Sequence, residues 1–158
     1  MINWQYYARL VYYMEAAVVE AKRAERKGEV PIGAVVVYGD TIIGRGHNVR
    51  ETTQRASRHA EIIAIDEACE TLQSWRLENT ELYVTLEPCM MCAGSFVHSR
   101  LKRIIYGAGD SRHGALGTQL NVNAFESFNH KVSITPAVLE EECRTLIQTF
   151  FREKRKQQ

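Results

Sequence analysis

The stretch ELYVTLEPCMMCAG, residues 81–94, joins two kinds of local pattern. Its first six residues are mostly apolar and include β-branched and aromatic side chains, which is typical of a buried strand. From Pro88 onward the segment PCMMCAGSFVHSR predicts a helix, because proline is favoured in the first helical turn. The sequence therefore predicts a strand that leads directly into a helix, with Cys89 and Cys92 at the helix start.

The segments on either side extend this alternation. Apolar residues at helical spacing over residues 7–21 predict a helix that ends before Gly28, and Gly39-Asp40 predicts a hairpin turn within residues 32–46. Further predicted elements are a helix from Ser57 to Leu72, a strand over 103–108, a weak helix near 119–127, a short strand over 131–134 and a final helix from about Pro136. This order favours a three-layer α/β/α sandwich with a mixed five-stranded sheet whose later strands are parallel.

Composition describes an ordinary globular chain. The 158 residues are 45% hydrophobic and 25% charged with a net charge of +1, and they predict a single domain over 1–158 with a basic helix end from about residue 150. No apolar run reaches the roughly 18 residues of a membrane span, and the first residues lack the pattern of a signal peptide. We therefore expect a cytoplasmic protein with no membrane partner, in which the four cysteines are thiols or metal ligands.

A second motif precedes the cysteine pair. His59-Ala60-Glu61 is followed by 26 residues and then by Pro-Cys-x-x-Cys, which is the order found in zinc-dependent base deaminases. Three protein ligands, His59, Cys89 and Cys92, leave zinc a fourth position for water. The amide groups and dipole of a helix start favour the thiolate form that binds metal.

Glu61 is the candidate proton carrier. Residues i and i+2 lie about 200° apart around a helix, so His59 and Glu61 can converge only on a point beyond the helix start. A water molecule held there meets both, and Glu61 can take its proton and return it to the substrate.

Other interpretations of the cysteines remain open at this stage. A thioredoxin-like redox pair fits Cys-x-x-Cys after a strand, and a closed structural zinc site needs a fourth ligand, for which His47, His98, His113 or Cys69 can be nominated. A catalytically inactive, zinc-stabilised RNA-binding module is a further alternative, although it has no use for Glu61. Cys69 and Cys143 fall on apolar helix stripes and are expected in the core.

From about Met14 to Arg152 the sequence resembles the bacterial tRNA-specific adenosine deaminases, which convert the wobble adenosine of an anticodon to inosine. The matching segments are GEVPIGAVVV, GHN, HAEIIAI, WRLENTELYVTLEPCMMCAG, SRLKRIIYGAGD, FNHKV and LIQTFFR. The resemblance implies a cytidine-deaminase-like fold, one Zn²⁺ per chain, a homodimer paired through the cysteine-bearing helix, and a tRNA anticodon stem-loop as substrate. The runner-up is a free nucleobase or nucleoside deaminase of guanine or cytosine type on the same scaffold.

The resemblance also implies roles for individual residues. His59, Cys89 and Cys92 would bind zinc and Glu61 would carry the proton. Asn48, Val30, Pro31 and the Ala60 amide would hold the flipped base. Weaker matches suggest RNA contacts by Asp110, Arg112, Phe150, Phe151, Arg152, Lys154, Arg155 and Lys156.

The sequence departs from the family pattern at two places. Arg55-Ala56-Ser57-Arg58 replaces the usual Asp-Pro-x-Ala before His59. Ser57 can cap the helix instead, and Arg58 is either a phosphate contact or an ordinary surface arginine. Asp110-Ser111-Arg112-His113-Gly114 replaces the usual Asp-Pro-Lys-x-Gly, and arginine presents a different geometry to a phosphate from lysine.

Overall fold

The computed structural model describes Met1 and residues 3–158, in the order α1 (Trp4–Arg26), β1 (Gly33–Tyr38), β2 (Thr41–His47), α2 (Arg50–Thr53), α3 (Ala60–Leu72), β3 (Thr80–Leu86), α4 (Met90–Ser99), β4 (Arg103–Ala108), β5 (Ser133–Thr135) and α5 (Glu140–Lys156). The strand order is β2-β1-β3-β4-β5. β1 pairs antiparallel with β2 and β3, whereas β3, β4 and β5 are parallel. The predicted mixed five-stranded sheet with parallel later strands is confirmed.

Helices cover both faces of the sheet. Because alternate strand residues point to opposite faces, neighbouring residues of one strand belong to different cores. Val36, Leu82 and Ile104 pack with residues of α3 and α4, while Val35, Tyr83 and Ile105 pack with α1 and α5. These two cores make the three layers that the sequence predicts. No helix in the described part of the chain is long and apolar enough to cross a membrane.

The helix starts differ from the predictions. α3 begins at Ala60 with His59 as its N-cap residue, not at Ser57. The preceding segment instead forms turns in which the amide of His59 bonds the carbonyl of Ser57, at 2.9 Å, and the carbonyl of Arg58 accepts from Val49. The turn at Ser57 and the contact of Arg58 with Val49, a residue from another segment, together override the local preference of serine for a cap.

Three other helix predictions are wrong in their bounds or length. Pro88 lies before the N-cap residue Cys89 and outside α4, whose first residue is Met90. The weak helix near 119–127 is reduced to a 3₁₀ turn over Val122–Ala124. α5 begins at Glu140 rather than near Pro136, and Leu139 before it has a left-handed backbone with φ 54°.

Gly46 in β2 sets the distance between the sheet and α3. A Cβ atom at this position would lie 2.2 Å from the carbonyl oxygen of Ala60, closer than real contacts allow. α3 therefore packs its first turn against the bare backbone of the strand. This contact fixes the end of the helix that carries His59 and Glu61.

Candidate active site

Two helix starts meet at the carboxyl end of β3, and each contributes candidate metal ligands. His59 is the N-cap residue of α3, with φ −81° and ψ 155°, and Cys89 is the N-cap residue of α4, with φ −77° and ψ 175°. Cys92 lies in the first turn of α4 and is fully buried. Both N-cap residues have extended backbones, so their side chains do not have to take the fixed angular positions around the helix axis that residues within a helix take. The two chain segments therefore aim their side chains at one point.

The spacing of these three side chains fits a tetrahedral metal. Nδ1 of His59 lies 3.7 Å from Sγ of Cys89 and 3.6 Å from Sγ of Cys92, and all three ligand atoms lie within 4.8 Å of one another. With Zn–S near 2.3 Å and Zn–N near 2.05 Å, a tetrahedral angle separates nitrogen and sulfur by about 3.5 Å. One nitrogen and two sulfurs also form a donor set that suits zinc.

No fourth protein ligand completes the cluster among the residues that the structure describes, where His59, Cys89 and Cys92 are the one metal-competent group of three or more. His47, nominated from the sequence, instead contacts Oε2 of Glu20 at 3.0 Å and Nζ of Lys27 at 2.9 Å. Three ligands with an open position are the arrangement of a catalytic metal site rather than a structural one.

The acid–base properties of the cluster agree with metal binding and proton transfer. A hydrogen bond from the Cys92 thiol, with a further contribution from His59, lowers the pKa of Cys89 to about 4, so Cys89 is the first of the two cysteines to form the thiolate that binds metals. The same hydrogen bond raises the pKa of Cys92, whose proton is released when a metal binds. Burial raises the pKa of Glu61 to about 7. Glu61 lies in the first turn of α3 and lines the same cleft as His59 and Cys89. A carboxyl group with a pKa near neutrality can both accept and return a proton.

The inner cleft wall contains three of the four predicted base-binding residues. Val30, Asn48 and Ala60 line the cleft. Pro31 is buried and is not part of the lining, to which its neighbour Ile32 belongs. Asn48 is held at both ends of its amide, since Nδ2 donates to the carbonyl of Val30 at 3.3 Å and Oδ1 accepts from the amide of Arg50 at 3.1 Å. Each end keeps one hydrogen-bonding position free for a ligand.

The outer cleft is wide and rich in arginine. The whole cleft, inner and outer parts together, has a volume of about 1050 Å³, at the upper end of small-molecule pockets. Of the predicted RNA contacts, the cleft is lined by Asp110, Arg112, Phe151, Arg152 and Arg155. The remaining predicted contacts lie outside it: Lys154 sits over the Phe150 ring at 5.4 Å, and Lys156 pairs with Glu153 at 3.3 Å.

Two arginines of the cleft were missed from the sequence. Arg50 begins α2, and Arg144 lies in the second turn of α5, where it pairs with Glu140 and Glu141. An isolated arginine gives no motif, and only the fold brings these two helices to one cleft. Arg58, for which the sequence leaves a phosphate contact and an ordinary surface position open, pairs with Asp66 at 3.2 Å.

A three-layer sandwich with one histidine and two cysteines at paired helix starts, and a buried glutamate beside them, is the arrangement of the metal-dependent base deaminases. The model of the MafB19-like deaminase family matches residues 10–155. The tRNA-specific adenosine deaminase of Bacillus subtilis (strain 168) is 55% identical over 144 residues, which cover 91% of this chain and 89% of that protein. The chain belongs to the family of the tRNA-specific adenosine deaminases.

Solved structures agree with this family. A structure from a study of A-to-I editing by tRNA:A34 deaminases at the wobble position of transfer RNA has a TM-score of 0.83 and 38% identity, covering 85% of this chain and 98% of that one. A guanine deaminase from Nitrosomonas europaea has a TM-score of 0.71 at 22% identity, covering 91% of this chain and 83% of that one. The second likeness shows the shared fold alone.

Proposed function

We propose that this protein deaminates adenosine to inosine at the wobble position of a tRNA anticodon, using one zinc ion held by His59, Cys89 and Cys92. The observation that carries the proposal is a metal-ligand cluster with the buried carboxyl group of Glu61, set at the base of a cleft whose outer part is lined by arginines. The substrate is a cytoplasmic RNA, so we expect the enzyme to act in the cytoplasm.

The chemistry is a hydrolytic exchange of the exocyclic amino group of adenine for oxygen. When bound, zinc supplies the Lewis-acid chemistry that makes water a nucleophile at neutral pH. Glu61 takes a proton from the attacking water, passes it to the adenine ring nitrogen and later helps the amino group to leave as ammonia. Because Glu61 is 4% exposed, bulk water cannot readily compete for this proton.

Base recognition falls to the inner wall. The free positions of the Asn48 amide offer one donor and one acceptor to the edge of a flipped base, and Val30 and Ile32 supply apolar contact on the same wall. An anticodon loop nucleotide is already partly unstacked, so moving it into this pocket costs less than extracting a base from a duplex.

The outer cleft is suited to the flanking RNA. Arg50, Arg112, Arg152 and Arg155 are exposed side chains of the cleft lining, and arginine binds phosphate with paired donors. Phe151 in the same lining is 42% exposed and offers a ring on which a base can stack.

The direct test is to incubate the zinc-loaded protein with an anticodon stem-loop containing a wobble adenosine, and separately with free adenosine, cytidine and guanine, while measuring inosine and ammonia. We expect inosine from the stem-loop and much slower conversion of the free compounds. Equal or faster conversion of a free base would instead support the nucleobase deaminase alternative.

RNA affinity should depend on the arginines of the cleft more than on the lysines beside them. Replacing Arg152 and Arg155 with alanine is expected to flatten the dependence of log binding constant on log salt concentration by about 0.7 for each lost single-strand contact. Turnover at saturating stem-loop should change little, because these side chains lie in the outer cleft.

The matched control replaces Lys154 and Lys156, which belong to the same helix but lie outside the cleft, and should leave the slope close to that of the wild type. Asn48→Ala should lower turnover with the slope unchanged. If the lysine pair flattened the slope as much as the arginine pair, the assignment of the cleft as the RNA path would be wrong.

We further propose that the chain forms a homodimer through α4, as the family resemblance implies. Met90 and Met91 in the first turn of this helix are 69% and 39% exposed, and adjacent exposed apolar side chains are typical of contact surfaces. Light scattering is expected to give twice the mass of one chain, and Met90→Asp should reduce it. Tyr12→Asp on α1 makes the same change at another exposed large hydrophobic residue and should leave the dimer intact. A stable, active wild-type monomer would contradict the proposal.

A further inference from the structure

Glu87 is a buried carboxylate that lies between β3 and the ligand Cys89. It is 2% exposed, and its oxygens accept hydrogen bonds from a single loop, residues 109–118. Oε1 accepts from the amide of Asp110 at 3.1 Å, and Oε2 accepts from the amides of Leu116 at 3.0 Å and Thr118 at 3.2 Å. The hydroxyl of Thr118 donates to Oε1 as well. A buried carboxylate needs such donors, and here they all come from the loop that forms part of the cleft wall.

A second carboxylate extends this arrangement to the cleft. Oδ1 of Asp110 accepts from the amide of Arg112 at 2.9 Å and from the amide of His113 at 3.1 Å. Glu87 therefore holds the backbone of Asp110, and the Asp110 side chain holds the turn from which Arg112 projects. The Arg112 side chain lines the cleft.

The loop follows the carboxylate closely. A Cβ atom at Gly114 would lie 2.4 Å from Cδ of Glu87, so glycine is required where the loop passes over this group. The amide of Ala115 also donates to the carbonyl of Pro88 at 2.8 Å. The loop is thus attached to the two residues that immediately precede the metal ligand Cys89.

We propose that Glu87 is a positioning residue for RNA: it fixes the turn over 110–113 relative to Cys89, so that Arg112 meets an RNA phosphate while the reacting base lies at the metal ligands. This inference rests on the proposed function, because it assigns Arg112 to the same substrate. A role in folding alone would lower stability without involving Arg112, and the two roles can be separated by measurement.

The test combines Glu87→Gln with Arg112→Ala. Glutamine has the shape of glutamate, but its NH₂ group must face a backbone N–H at one of the two oxygen positions, which displaces the loop. We expect Glu87→Gln to raise KM for the stem-loop about tenfold, as expected for a lost charge-assisted contact, with kcat and zinc content within about twofold of the wild type. Arg112→Ala should raise KM in the wild type and add little in the Glu87→Gln background, because contacts that act together are not additive.

Glu29 provides the matched control. It is 1% exposed and accepts from the amides of Glu51 at 3.1 Å and Thr52 at 2.6 Å, so it holds α2, a different part of the cleft wall. Glu29→Gln is the same chemical change at a similarly buried group. In that background Arg112→Ala should keep its full effect on KM.

Three outcomes would overturn the proposal: an unchanged KM in Glu87→Gln, a full additional effect of Arg112→Ala in that variant, or loss of zinc together with kcat. If Glu87→Gln does not fold, Gly114→Ala and Thr118→Val replace it, and an unchanged KM in both would likewise overturn it. Wild-type protein that fails to convert the stem-loop would refute the proposed function and this inference together, whereas active wild type with unaffected variants would refute this inference alone.

Discussion

Replacing Glu61 with glutamine is expected to lower kcat on the stem-loop by about 10²–10⁴-fold while the zinc content stays near one ion per chain. Glutamine keeps the volume and hydrogen-bonding ability of the side chain but cannot accept and return a proton. The expected loss therefore falls on the chemical step and leaves RNA affinity close to that of the wild type. Single-turnover rates, KM and elemental analysis of the same preparation check the three parts of this result.

Two outcomes would change the assignment of Glu61. Loss of zinc in Glu61→Gln would make the carboxylate a ligand rather than a proton carrier. Turnover within a fewfold of the wild type would assign the proton transfer to another group. Glu67 on the same helix, which is exposed, supplies the control, and Glu67→Gln should change neither turnover nor zinc content.

Replacing Cys92 with serine is expected to remove both the metal and the activity. Two ligands remain, and serine does not supply the thiolate that binds zinc strongly. Metal bound to the native state also adds stability, by about 4 kcal/mol at a free concentration of one thousand times Kd. The variant should therefore show little bound zinc, no inosine formation above background and a lower melting temperature at equal zinc supply.

Cys69→Ser separates the ligand effect from a general effect of losing a thiol. Cys69 is half-buried on α3 beside the apolar core, apart from the metal-ligand cluster. This variant should keep its zinc and activity even if it is somewhat less stable. A chelator-treated wild type that remained fully active, or a Cys92→Ser variant with normal zinc content, would contradict the proposed metal site.

The parts of this structure that the sequence predicted are those encoded by spacing and periodicity. The order of helices and strands follows from apolar patterns, and the proposed ligand trio follows from the fixed separation of His59 from Cys89 and Cys92. Glu61 was predicted as the proton carrier from the His-x-Glu motif, and the angular step from His59 predicts that their common target lies beyond the helix start. The observed N-cap positions of His59 and Cys89 place that target at two helix starts.

The parts that could not be predicted depend on contacts between distant segments. Ser57 has the chemistry of a helix cap, but the bond between Val49 and the Arg58 carbonyl keeps the chain out of the helix for two more residues. Arg50 and Arg144 reach one cleft because α2 and α5 lie at the same end of the sheet. The role of Glu87 likewise becomes visible only when the loop over 109–118 is seen to surround it.

The close contact between Gly46 and Ala60 has a consequence for protein engineering. A glycine inside a strand or helix normally costs about 0.5–1 kcal/mol relative to alanine, so a stabilisation programme would select Gly46→Ala early. Here the added methyl group would press on the first turn of α3. It would meet the backbone of Ala60 rather than a side chain that can rotate away, so the helix start and the adjacent His59 would have to shift. Libraries intended to make this enzyme more heat-resistant while retaining its activity should therefore leave position 46 constant and place their changes on surfaces away from α3.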